Sequence, residues 1–280
     1  MQKKLNDICT ADNYDTVPVI RFAPFNKLEW LNCGFSTRIG GVSRGCHESL
    51  DLGFERDDVR ENVEENFRRF GESAGFDTKN ICLPSQWHTN NIRIAGAEHA
   101  CGSKFEKKTD IPIDGQITDE KGLVLLSYGA DCTPVYLADT VNHAIGLVHS
   151  GWKGTLNSIS SDALDLMKKT YGTKPEEVIA VIGPSISSKN YEVGFDVAEH
   201  FIKKHNIDVT EDSAIVRHGR PQKYQLDLWE ANRRNLLDSG VPEENIFISG
   251  LCTYDEEALF YSHRRNGNAR GVMAGFMCII

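Results

Sequence analysis

No run of this sequence is long and apolar enough to span a bilayer; VLL, VIAVI and AIGLV have the length of buried strands. The opening residues, MQKKLNDICTADNYD, turn polar at once and lack the apolar segment of a secretory leader. No membrane role is expected, and the cytoplasm is the expected compartment. Nor is there an excess of positive charge. The net charge of -9 argues against general binding to nucleic acid, although a local basic pocket remains compatible with it. Internal repeats, low-complexity tracts and Pro/Ser-rich linkers are missing too, so a single domain over 1–280 is expected.

Two further absences concern chemistry. The eight cysteines include no C-x-x-C pair, which excludes a zinc ribbon or a thioredoxin-type redox motif. Without a leader, disulfides are not expected either, and most thiols should be free, buried and inert. The nine histidines contain no H-x-H pair, which tells against a multicopper centre. The H-x-E and P-C-x-x-C patterns of the familiar zinc deaminases are also missing.

What is present is an α/β pattern, expected to form mixed β-sheets flanked by helices. VIRFAPF and CGFSTR read as short strands, and GGVSRG as a loop. Val59, Val63, Phe67 and Phe70 recur at helical spacing over 58–71, with Asp57 or Asp58 as the cap. GLVLLSYGAD, NHAIGLVHS and EVIAVIGPS read as buried strands. Leu156, Ile159, Ala163, Leu166 and Met167 make the apolar stripe of one helix over 155–171, stopped by Gly172. Further helices are expected around Val197 and Phe201 and over 227–239. ALFYSHR and VMAGFMCII should be two closing strands.

Three metal-competent residues lie where strands run out. Cys132 follows SYGAD, His149 ends AIGLVH, and His88 sits in SQWH after ICL. Ligands in α/β proteins gather beyond strand ends, so residues distant in sequence can converge there. Two imidazoles and a thiolate would leave a fourth tetrahedral position for water, with the water's pKa lowered to roughly 7. The same atoms also suit a Cys132–His149 nucleophile–base pair, and spacing alone leaves both readings open.

An ordered series of segments carries a resemblance. FSTRIGGVS, SLDLG, QWH, DGQIT, ADCTPVYLAD, HSGWKG, IGPSISSKNYEVG, CT and FYSHRRNGNARGVMAGF follow one another from 35 to 276. In this the chain resembles the YfiH-type, or laccase-domain, family, once labelled multicopper polyphenol oxidases. The resemblance implies one α/β domain with zinc held by His88, Cys132 and His149. It also implies phosphorolysis of adenosine, inosine, guanosine and methylthioadenosine, and deamination of adenosine. The expected partners are thus purine nucleosides and phosphate, with the chain a monomer or homodimer. Where the family usually has QVH, SLNLG and HAGWRG, this chain has Trp87, Asp51 and Lys153. Trp87 bears on the pocket mouth or on packing. Asp51 would weaken anion binding if it faced the pocket, and Lys153 lacks the fork of Arg.

Roles follow from that chemistry. Asp131, beside Cys132, is the candidate proton carrier. Phosphate needs cations, and Arg38, Lys153 and Arg264 are the candidates, with Gly151 and Gly154 offering backbone N–H groups. Tyr191, Phe260 or Tyr261 could stack on a purine, and Glu192 could hold ribose hydroxyls. Phe260 is better explained as core, and His143 as surface. The rivals are a copper-dependent polyphenol oxidase (laccase), since copper outcompetes zinc for such ligands, and a Cys132–His149 hydrolase linked to peptidoglycan-precursor editing.

Overall fold

The computed structural model describes residues 1–106, 110–208 and 213–280. Two large sheets and one small one carry the chain. The first has seven strands in the spatial order Lys3–Lys4, Cys9–Asp12, Val19–Phe22, Leu31–Ser36, Met273–Ile279, Val124–Gly129 and Ile81–Cys82. The second has six, in the order Ile246–Ile248, Val178–Ile182, Thr133–Asp139, Ile145–Ser150, Gly115–Thr118 and Ile92–Ile94. Pairing is mostly antiparallel, with parallel pairs at the margins. The expected mixed α/β architecture is what the chain adopts.

Strand alternation explains the layering. In Thr133–Asp139, Tyr136 and Ala138 face the space between the two large sheets, while Val135 and Leu137 face away. Leu125 enters the same shared core from the other sheet, whereas Val124 and Leu126 face outward. Each outer face is then covered by a helix. Ile159, Ala163 and Met167 of Ile159–Tyr171 lie on the six-stranded sheet, and Val63, Phe67 and Phe70 of Arg60–Ala74 on the seven-stranded one. Strands buried on both faces read as continuous apolar runs, which is why VLL and VIAVI lack polar alternation. The Tyr136 hydroxyl crosses the shared core to donate to the Gly34 carbonyl at 3.0 Å.

Several expectations need correction. TPVYLAD, not anticipated as a strand, is a fully buried central one. The stripe expected to be one helix over 155–171 breaks at Asn157 and Ser158, whose φ is 60°, giving Trp152–Leu156 and Ile159–Tyr171. Leu156 therefore packs with Phe201 in a different cluster from Ile159. ALFYSHR is not a strand: the Phe260 N–H turns back to the Glu256 carbonyl, and Ser262 caps a short helix, His263–Asn266. The helix at Arg60–Ala74 starts after Val59, and Asp58 accepts the Val59 N–H instead of capping the first turn. None of the eight cysteines is in a disulfide, and burial pushes Cys9, Cys33 and Cys82 up to about 12, as inert thiols should be. No helix among the described residues is long and apolar enough to cross a membrane.

Candidate metal centre

The chain passes from one large sheet to the other through Ala130, Asp131 and Cys132, between strands Val124–Gly129 and Thr133–Asp139. Asp131 takes a left-handed φ of 96° at this crossing. Its carboxylate accepts from Thr253 Oγ1 at 2.7 Å, Ser262 Oγ at 3.0 Å and the Arg264 N–H at 2.6 Å. Those bonds tie the crossing to the C-terminal loop. His149 lies opposite Pro134 in the neighbouring strand, which brings it beside Cys132. His88 comes from the loop after Ile81–Cys82 and holds a φ of 60°. One ligand atom from each of His88, Cys132 and His149 lies within 4.8 Å of the others.

Asp114 organises this convergence. It accepts from the N–H groups of Trp87, His88 and Thr89, from Thr89 Oγ1 at 2.7 Å, and shares a 2.9 Å bond with His149 Nδ1. A ring held at Nδ1 by a carboxylate presents Nε2 to a metal, the usual support of a histidine ligand. Burial opposes the charge on His149, but Cys132 and Asp114 outweigh it and raise its pKa to about 9. Asp114 itself, although buried, is held down to about 2 by the bonds from His149 and Thr89. In the sequence, Asp114 is marked only by its membership of DGQIT.

The donor set fits a metal ion. A thiolate with two imidazoles suits zinc or copper. Close approach is built in at Gly151, where a Cβ would lie 2.8 Å from His88 Nδ1 and 3.2 Å from Cys132 Sγ. Only glycine leaves that space clear. Among the described residues this is the single cluster of three or more such ligands.

The triad lies in the wall of a cavity of about 600 Å³, whose other walls include Phe54, Phe105, Tyr128, Arg56 and Arg270. None of the four residues expected to bind substrate lines it. Arg38 donates to the Glu48 and Glu257 carbonyls and lies over the Tyr261 ring. Arg264 donates to the Glu192 carbonyl and covers the Tyr191 ring, whose hydroxyl pKa is raised by burial and then by Cys132. Lys153 is exposed over Trp152, near enough to help depress His88 after burial and His149 have done so. Glu192 is ion-paired with Arg220. Phe260 and Tyr261 are core. Asp51 does not face the cavity: it accepts from Gly53 and Val272 N–H groups and pairs with His47 Nδ1 at 2.5 Å. Trp87 is 67% exposed and is not part of this cavity's wall, while His143 is exposed and stacks on Trp30.

Residues 32–280 match the family model described as multi-copper polyphenol oxidoreductase laccase. Over 245 residues the chain is 35% identical to purine nucleoside phosphorylase YlmD of Bacillus subtilis, covering 87% of each. It is 35% identical to a purine nucleoside phosphorylase of Bacteroides thetaiotaomicron, over 86% of this chain and 89% of that one. Among solved structures, a hypothetical protein YfiH of Bacillus licheniformis superposes with a TM-score of 0.85 at 30% identity, over 94% of this chain and 96% of that one. YlmD from Geobacillus stearothermophilus gives 0.84 at 32%, over 93% and 96%.

Proposed function

The chain belongs to the multi-copper polyphenol oxidoreductase laccase family, and on that premise we propose that it is a zinc-dependent purine nucleoside phosphorylase that also deaminates adenosine. Relatives at this level of identity carry the phosphorylase name. The observation that carries the reading is one cavity of about 600 Å³ opening on His88, Cys132 and His149. That volume lies in the range of small-molecule sites. Adenosine, inosine, guanosine and methylthioadenosine are the proposed substrates.

When bound, zinc supplies Lewis acidity and lowers the pKa of a coordinated water. The protein's own residues do the rest. Asp114 fixes the His149 ring and the His88 backbone, so the donors need little rearrangement. Phe54, Phe105 and Tyr128 give the cavity aromatic faces for a purine. Asp131, with three donors on its two oxygens, serves better as the brace of the crossing than as proton carrier. Glu55 and Glu106 are the carboxylates in the cavity wall and the ones to test for proton transfer.

A second reading has a specific basis: Cys132, His149 and Asp114 form a nucleophile, base and orienting-carboxylate series. It requires activity towards an amide or ester in metal-stripped protein, abolished by thiol alkylation. A multicopper oxidase would require more clusters than the one among the described residues. Incubation with adenosine, with and without phosphate, resolved by mass spectrometry, separates these readings. Adenine and ribose 1-phosphate should form only with phosphate, and inosine in either sample. Unchanged nucleosides in both, with amide or ester turnover intact, would transfer the assignment to the hydrolase.

A further inference from the structure

Arg270 is 7% exposed, lines the cavity with Cys132, and uses Nη1 on its own neighbour's carbonyl, Gly271, at 2.9 Å. Its Nε is buried and meets no hydrogen-bond partner. Charged side chains are almost never buried without a partner, because an unpaired charge loses its hydration for nothing in return. Such an atom therefore calls for a cause. Among the described residues no carboxylate comes within ion-pair distance of Arg270 or of Arg56, which lines the same cavity. The two are close enough to repel each other, and burial and then Arg56 lower the Arg270 pKa to about 10. By contrast the cavity's third arginine, Arg60, is spent on Glu64 at 2.8 Å and the Lys104 carbonyl at 2.7 Å. Glu55 and Glu106 are exposed members of the wall and have partners of their own.

We propose that Arg270 and Arg56 form a binding site for inorganic phosphate within the cavity that opens on the triad. Two guanidinium groups without an ion-pair partner among the described residues match a phosphate dianion, which accepts several charge-assisted bonds at once. In a chain of net charge -9, such a pair is a local exception that needs an anion. The role in turnover rests on the phosphorylase reading, whereas binding of the anion does not. In turnover a phosphate oxygen would bond to the ribose C1′ as the C1′–N9 bond breaks. The bond's electron pair leaves with the base, which takes up the proton that the phosphate gives up.

The test is calorimetric titration of inorganic phosphate into zinc-loaded wild type, Arg56→Met and Arg270→Lys, beside the KM for phosphate of each. Binding should weaken, and KM rise, by about tenfold or more in both variants, as loss of charged hydrogen bonds implies. The nucleoside KM should stay within about threefold. Arg56 is only half-buried, so Arg56→Met carries the test if Arg270→Lys melts early. Equal phosphate binding in all three proteins would overturn the site, as would a KM shift confined to Lys153→Met or Arg264→Met. AMP binding more tightly than adenosine, with the advantage lost in Arg56→Met, would reassign the site to a nucleotide's phosphate. Phosphate binding that the variants lose, without any phosphorolysis, would sustain the site and sink the phosphorylase reading. Normal phosphorolysis by all three would do the reverse.

Discussion

Two sets of arginines differ in what holds them. Arg38, Arg264 and Arg265 each donate to backbone carbonyls, of Glu48 and Glu257, of Glu192, and of Thr253, Tyr254 and Phe260 respectively. Arg56 and Arg270 line the cavity without an ion-pair partner among the described residues, and Arg270 keeps a buried Nε orphaned. The first set closes loops, and its guanidinium groups are anchored on carbonyls. The second keeps its charge available at a cost in desolvation, which a fold tolerates where a ligand will repay it. Position near the triad is therefore a weaker guide to function than the state of a side chain's donors.

The largest expected effect tests the triad side of this contrast. Cys132→Ala should lose most bound zinc and at least a hundredfold, roughly, in both activities, read by metal analysis and product assay. Asp114→Asn keeps the shape but removes the charge that orients His149, so zinc affinity should drop about 10- to 100-fold in competition with a chelator. Gly151→Ala places a methyl against His88 and Cys132, and a drop of about tenfold in zinc affinity is expected. Retention of wild-type affinity there would mean the loop can yield. The smallest effect belongs to the spent set. Arg264→Met should cost less than about 1 kcal/mol in denaturant unfolding, because the group is exposed. Its KM for phosphate should remain within about twofold, and a tenfold rise would erase the distinction between the two sets.

The same distinction marks what could be read from the sequence. The convergence of the triad was legible because Cys132 and His149 stand at strand ends and all three residues lie inside segments that carry the family resemblance. The layered α/β fold was legible because double-sided burial writes itself as unbroken apolar runs. The phosphate candidates were not. FYSHRRNGNARGVMAGF holds three arginines, and nothing local separates Arg264 from Arg270. Only the fold decides which guanidinium is left with a buried donor that no partner meets. Asp114 escaped for a related reason: the five hydrogen bonds of its carboxylate reach Trp87, His88, Thr89 and His149, none of them a sequence neighbour. The strand at Thr133–Asp139 escaped because Pro134 argues against a central strand, and the helix break escaped because Ser158 carries no glycine-like signal for its left-handed backbone.

The most direct test of the account is to strip the protein of metal and measure phosphate-dependent nucleoside cleavage as zinc is titrated back. Turnover should rise in proportion to bound zinc, level off at one ion per chain, and stay absent throughout in Cys132→Ala. Full cleavage by the metal-free protein, or by Cys132→Ala, would contradict the assignment of the site.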